Sequence, residues 1–477
     1  MSGLDRVLIA GTGPTAIQLA VLLKRWHGSS VSIAGRRSVR SAPLFEALKH
    51  DGNLLSAEAG KPSLAAMAGE CRLDACFVGY ESVRGDWGTL LLAVTADAYL
   101  PVLTQLPSET LASLRCVALL SPTFGSHALV RQYLREQGSV AETISFSTYL
   151  GDTRRVSDEE PTRVLTAAVK RRVYIGSAEE GERGWTGVSA SGTSEGDPGA
   201  GEDRSSASGG VKAFHALYAK AGIELIATES ALVAEARNIS LYVHPPLFMN
   251  EITLAAVFGP PATPQYVYKL FPEGPITQTL IREMLTQWQE ISQLSERLGV
   301  QPLNLLQFMV DDNYPVRPES LARDEIDRFM TLDPLHQQYL LYVRYASLLI
   351  DPYSEPNEHG RYFDFSAVPI RRVFLNREGA WDIPRMPKED YYRLKLIQGI
   401  ARHAEMPSPM IDTFVARYER YLRESRDDLD DYPLSPAFEP QTFEEELRRI
   451  RSVLPMTEHM AGDATSAYES PSGQTES

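Results

Sequence analysis

A short apolar run closed by Gly11-Thr12-Gly13-Pro14-Thr15-Ala16 leaves few folds open to this chain. Residues 6–10 (RVLIA) read as a buried strand, and residues 14–26 as a helix with Ile17, Leu19, Ala20 and Leu23 facing inward. A G-x-G-x-x-A sequence between a strand and a helix is the dinucleotide-binding turn. Gly11 permits the tight turn, Gly13 lets the backbone approach a pyrophosphate, and Ala16 stays small so that the helix lies on the strand. The helix N-terminus offers unpaired N–H groups and a positive dipole end to phosphates. Pro14 fits there, because its missing donor would have been an orphan.

The second strand, 30–34 (SVSIA), ends in Gly35-Arg36-Arg37-Ser38. An NAD site places Asp or Glu about 20 residues beyond the last glycine to hold the ribose hydroxyls. A carboxylate there would repel a 2′-phosphate, whereas paired guanidinium groups bind one through charge-assisted bonds. Arg36, Arg37 and Ser38, helped by Arg40, therefore select NADP(H).

Residues 90–95 and 116–121 read as further strands, each ending in polar residues. Strand–helix alternation of this kind means parallel βαβ units, an α/β doubly wound Rossmann sheet. Thr95 and Ser121 end those strands, where the carboxyl edge of such a sheet forms the ligand crevice. Residues 141–149, 171–176 and 224–227 read as additional strands. From about residue 231 the pattern turns helical, with stretches at 276–298, 333–350, 388–404 and 410–423. The expected organisation is a nucleotide domain over 1–180 completed by 211–230, and a mostly α-helical catalytic domain over 231–457. Between them, 181–210 is rich in Gly, Ser, Asp and Glu and reads as a flexible insert. Residues 458–477 read as a disordered tail.

A net charge of −15 argues against nucleic acid as a partner, because phosphate neutralisation needs a basic face. No apolar stretch approaches the roughly 20 residues of a membrane span, and the N-terminus lacks the pattern of a signal peptide. A cytoplasmic protein is expected. Three cysteines at irregular spacing make neither a disulfide framework nor a zinc site, and no cluster has metal-ligand spacing.

Of nine histidines, His244 stands apart, in Leu241-Tyr242-Val243-His244-Pro245-Pro246-Leu247-Phe248-Met249-Asn250. A residue before proline is pushed out of helical geometry, and the prolines can open a following helix. His244 is therefore expected on a rigid apolar corner, suited to acid/base work near neutrality. Asp152, in Gly151-Asp152-Thr153-Arg154-Arg155 just after a strand, is a second candidate, since a carboxylate beside the ring would orient it. The same residues also fit bland roles, a packed histidine and a turn-forming aspartate.

The GTGPTA opening, the Gly-Arg-Arg after the second strand, the Gly-Asp after a later one and above all the His-Pro-Pro-Leu-Phe-Met-Asn segment resemble the opine metallophore dehydrogenases. The resemblance covers most of the chain apart from the Gly/Ser-rich insert and the tail. It implies condensation of the primary amine of a histidine-derived aminobutyrate with an α-keto acid, pyruvate or α-ketoglutarate, followed by reduction with NADPH. On this resemblance His244 is the general acid/base and Asp152 its partner, and a homodimer is plausible. Arg154 or Arg155 could hold substrate carboxylates. Two other readings stay open: an NADP-dependent keto or hydroxy acid reductase that joins no amine, and a non-catalytic NADP(H) sensor.

Overall fold

A computed structural model describes residues 4–177, 209–260, 263–313, 316–348, 368–429 and 431–454. The expected insert lies outside the described residues except at its end, where Gly209 and Gly210 already begin the helix Gly209–Lys220. The expected tail also lies outside them.

The main sheet has eight strands in the spatial order Glu224–Ala227, Arg172–Ser177, Glu142–Phe146, Cys116–Leu119, Thr89–Leu92, Arg6–Ala10, Ser30–Gly35 and Ala75–Val78. All neighbours are parallel except Arg172–Ser177 with Glu142–Phe146. The order reverses at Arg6–Ala10, which pairs with the second strand on one side and with Thr89–Leu92 on the other. A ligand crevice opens at such a switch point because the crossovers leave in opposite directions. The central strands are buried on both faces, which is why they read as continuous apolar runs rather than alternating ones.

The helices Pro14–Leu22 and Gly209–Lys220 cover one face of this sheet, with Ile17, Val21, Phe214 and Tyr218 fully or almost fully buried. The other face shares one apolar core with the helical half of the chain, from Leu90 and Leu119 through Phe124 to Ile400 and Ile450. Gly125, at φ +88, lies against Ile400 and Ile450, where a side chain would have no room. Arg449 Nε donates to Glu136 Oε2 at 2.8 Å and ties the helix Glu444–Val453 to Ser126–Glu136.

A second sheet was not expected from the sequence. Gly69–Arg72, Leu54–Ala59, Arg163–Val169 and Gly151–Arg155 lie side by side in that order. Gln18 joins this sheet to the nucleotide helix, accepting from Thr166 Oγ1 at 2.6 Å and donating to the Met67 carbonyl at 2.8 Å. These strands are short and half exposed, so their alternation is weak, and Arg163–Val169 carries a register shift that breaks it further.

Glu235 is fully buried and holds the two halves in register. Its Oε1 accepts from the His127 N–H at 2.6 Å and Ser145 Oγ at 2.9 Å, and its Oε2 from the Gly125 N–H at 2.9 Å. Burial pushes its carboxyl up to about 8 against the pull of those donors. Glu235→Gln would set an amide donor against a backbone N–H at the start of Ser126–Glu136. An expected loss of about 1–3 kcal/mol follows from that buried unsatisfied pair, to be read from urea unfolding; an unchanged midpoint would refute the role.

Candidate active site

Gly11 has φ +136, and its N–H donates to the Ala34 carbonyl at 2.8 Å. A Cβ on Gly11 would fall 2.4 Å from the Ala93 carbonyl oxygen, so a side chain is excluded by both conformation and space. Gly13 caps the helix with extended geometry, and space for a Cβ there is open. Pro14 takes the first helical position, followed by Thr15 and the buried Ala16. Thr12 lays its methyl over Gly35, at the end of the second strand. The turn, an open helix N-terminus and the arginine segment thus meet at one edge, and these residues fit a dinucleotide phosphate.

Arg36 and Arg37 are exposed beyond Gly35, and Arg37 donates to the Val78 carbonyl at 3.3 Å. Ser38 is taken up locally, its Oγ accepting from the Ser41 N–H at 3.2 Å before the helix Ala42–His50. Thr95 and Ser121 follow the strands Thr89–Leu92 and Cys116–Leu119, half buried at the carboxyl edge, with the Ser121 N–H donating to the Tyr99 hydroxyl at 3.3 Å. Arg155 Nη2 donates to the Thr12 carbonyl at 3.2 Å. It stands at the nucleotide turn, whereas its neighbour Arg154 is exposed.

His244 departs from expectation in its backbone. The helix Ser240–Phe248 runs through both prolines, so the ring sits on a helix and not on a corner. Pro245 cannot donate to the Leu241 carbonyl, and that acceptor is supplied instead by Gln287 Nε2 of the helix Gln278–Arg297, at 2.6 Å. A neighbouring helix makes good the missing bond, which lets tertiary packing override the local preference. Val243, Pro245, Pro246 and Leu247 are buried around the ring, and Phe248 meets it edge-on at 5.5 Å.

The His244 side chain is 19% exposed, yet Nδ1 is buried, so solvent reaches the rest of the side chain. Burial first, and then the charges of Arg393, Arg385 and Lys170, hold its pKa well below the usual histidine range. The resting imidazole is neutral. Among the described residues the carboxylate within 4 Å of the ring is that of Asp390, 3.8 Å from Nδ1, and not Asp152. Asp390 is fully buried and is bonded by Arg393, which also bonds Glu389 at 3.0 Å. Burial pushes Asp390 up to about 8, with Arg393 opposing.

Asp152 lies exposed on the strand Gly151–Arg155, opposite Ala168. Two residues on from Ala168 stands Lys170, whose charge acts on the His244 ring. A small, water-sized hollow beside that strand end is lined by Lys170, Arg172, Tyr174, Arg237, Asp312 and Asn313 among others, and neither His244 nor Asp152 lines it. Asp312 accepts from the Tyr174 hydroxyl at 2.6 Å and Arg172 at 3.2 Å, while Arg237 lies over the Tyr174 ring. Sequence reasoning missed Asp390, Arg393, Lys170 and Arg237. Asp390 and Arg393 did carry a signal: an acid and a base three apart on a helix flanked by apolar residues on both sides.

A doubly wound sheet with a glycine turn at its switch point, and helices closing the crevice around a buried histidine, is the arrangement of a two-domain dinucleotide-dependent dehydrogenase. The chain belongs to the staphylopine dehydrogenase family, whose sequence profile it matches over residues 5–186 and 200–454. It is 42% identical over 443 residues to the staphylopine synthase of Staphylococcus aureus (strain Mu50 / ATCC 700699), covering 92% of this chain and 96% of that one. The pseudopaline synthase of Pseudomonas aeruginosa (strain UCBPP-PA14) is 40% identical over 420 residues, covering 87% and 89%. Among solved structures, NADP+-bound yersinopine dehydrogenase superposes with a TM-score of 0.82 at 30% identity, covering 95% and 99%.

Gly11→Ala tests the turn directly. The clash with the Ala93 carbonyl forces apart the loops that follow Arg6–Ala10 and Thr89–Leu92, so nucleotide binding should fall below detection by fluorescence titration. Retained affinity would show that no cofactor is seated on this turn.

Proposed function

We propose that the protein is an NADP(H)-dependent opine dehydrogenase of metallophore biosynthesis. It joins the primary amine of a histidine-derived aminobutyrate to an α-keto acid and reduces the resulting imine to a secondary amine. The observation that carries this reading is the glycine turn at the switch point of the nucleotide sheet, with the arginine segment beside it, in a chain of this family that also holds His244 in an apolar setting. The NADP+ bound to yersinopine dehydrogenase supports the cofactor, as do Arg36 and Arg37 here.

Gly11, Gly13 and the open N-terminus of Pro14–Leu22 hold the pyrophosphate, with Thr12, Thr15, Thr95 and Ser121 along the same edge. The reduced nicotinamide supplies the hydride. His244 does the proton work: the substrate amine attacks the keto carbon as its free base, and the neutral ring, too weak a base to deprotonate an ammonium group, accepts a proton that the nitrogen sheds as it bonds to carbon. The proton then leaves with the departing water as the imine forms, and a further proton compensates nitrogen when carbon receives the hydride. Asp390 and Arg393 act as positioning residues that hold the ring from behind. Asp152 is the partner that the family resemblance gives His244, and Lys170 close to its strand end, whose charge acts on the ring, supports that role. The substrate carboxylates are matched by Lys170, Arg172 and Arg237. Arg155 serves the nucleotide side, and Arg154 remains with the substrate rim.

The same reading takes the nucleotide domain as 1–180 with 211–230 and the catalytic domain as 231–457. It places the enzyme in the cytoplasm as a homodimer, testable by sedimentation. Among the described residues no helix is long and apolar enough to cross a membrane.

NADPH oxidation followed by absorbance, with the amine plus pyruvate or α-ketoglutarate, should require both substrates and so name the keto acid. Oxidation without amine would replace this reading with a simple keto acid reductase. His244→Ala should lower kcat by about 10²–10⁴-fold, the usual contribution of a general acid/base, while NADPH affinity is kept. Unchanged turnover would remove the histidine from the chemistry.

A further inference from the structure

The helical half sends one hairpin back to the nucleotide edge. Phe374–Leu375 pairs antiparallel with Trp381–Asp382, and the turn between them is closed by Asn376, whose Oδ1 accepts from the N–H groups of Glu378 at 3.0 Å and Ala380 at 2.9 Å. Gly379, at φ +79, supplies the left-handed residue the turn needs. The base is anchored: the Trp381 N–H donates to the Pro433 carbonyl at 2.8 Å, the Ser435 N–H to the Trp381 carbonyl at 2.8 Å, and the Val373 N–H to the Val257 carbonyl at 3.0 Å. The tip is thus a fixed projection of the helical half.

Arg377 occupies that tip. It is exposed, and its Nη1 donates to the Val39 carbonyl at 3.4 Å, directly after Arg36-Arg37-Ser38. Across the same opening stands Arg155, bonded to the Thr12 carbonyl. The Arg155 guanidinium feels the charges of both Arg40 and Arg377, which together with burial lower its pKa, while Asp158 opposes them. Arg36, Arg40, Arg155 and Arg377 form no ion pair within 4.0 Å with any described residue. In a chain of net charge −15, guanidinium groups from three distant segments converge on one opening where acidic partners could have been placed. Such a convergence is repulsive until an anion fills it, and it suits a dianionic phosphate with several acceptor oxygens.

We propose that Arg377 is a cofactor-specificity residue supplied by the helical half, and that with Arg40 and Arg155 it rings the ribose 2′-phosphate. The position favours that phosphate over the pyrophosphate, because Val39 lies past the end of the second strand, where the adenine ribose is recognised. The 2′-phosphate then ties the hairpin to the nucleotide sheet, so the group that distinguishes NADPH from NADH also joins the two halves that form the cleft. The inference rests on the cofactor reading above.

Nicotinamide fluorescence titrations of the full chain with NADPH and with NADH test it without any substrate. Arg377→Ala should raise the Kd for NADPH about tenfold, the worth of one charge-assisted bond, and leave that for NADH nearly unchanged. Arg377→Lys should recover part of the loss, since it keeps the charge without the planar fork. Displacement by 2′,5′-ADP should weaken in Arg377→Ala in parallel, and displacement by 5′-ADP should not. Circular dichroism guards against misfolding, and Arg377→Gln serves if the alanine variant is unstable. Equal weakening of both nucleotides, or of neither, would overturn the proposal and leave the cofactor reading standing. A wild-type chain that binds neither nucleotide would overturn both.

Discussion

Everything functional in this molecule depends on how closely two loops approach at the sheet's switch point. The Ala93 carbonyl sits where a Gly11 side chain would be, and the Ala93 N–H donates to the Ala10 carbonyl at 2.9 Å. That contact keeps the strands Arg6–Ala10 and Thr89–Leu92 together just past their carboxyl ends. The turn is thereby presented with the N-terminus of Pro14–Leu22 open to solvent and the arginine segment beside it. Without glycine here the loops would separate and the phosphate cradle would lose its shape.

The second constraint is desolvation, supplied by helices that arrive from far along the chain. The pKa of His244 is held down by burial first, to which its own helix contributes Val243, Pro245, Pro246 and Leu247, and then by the charges of Arg393, Arg385 and Lys170 from other segments. Asp390 and Arg393 reach it from Arg385–His403, while Gln287 repairs the helix break that Pro245 would otherwise impose. A buried charge is costly unless it is paired, and Arg393 with Asp390 and Glu389 meets that condition in part, since Asp390 Oδ2 and Arg393 Nε find no hydrogen-bond partner among the described residues.

The division between what was legible in the sequence and what was not follows from range. The glycine turn, Pro14 and the central strands are read from spacings of a few residues, because local geometry alone requires them. His244 was identifiable as unusual for the same reason, but its backbone was misjudged: the local rule for a residue before proline was overruled by a hydrogen bond from Gln287, 46 positions away from its acceptor. Asp390 and Arg393 were hidden because their partner is brought in by helix packing. The second sheet was missed because its strands are short and pair in an order unlike their order along the chain. Arg377 sits in a hairpin of two-residue strands, too short for any periodicity to show.

Charge distribution connects these points. An acidic chain repels a polyphosphate cofactor and a keto acid at long range, so binding must come from local fields strong enough to exceed the mean. Two such fields exist: one at the nucleotide edge, from Arg36, Arg37, Arg40, Arg155 and Arg377, and one in the cleft, from Lys170, Arg172 and Arg237. They differ in what opposes them. In the cleft, Asp312 already neutralises part of the charge through Arg172 and Tyr174, leaving a mixed surface suited to a zwitterionic amine as well as to carboxylates. At the nucleotide edge, Glu81 stands 3.9 Å from Arg37 and Asp158 acts on Arg155, but the remaining guanidinium groups lie open. A partly neutralised field binds substrates that must later leave, whereas an open one favours firm retention of a phosphate.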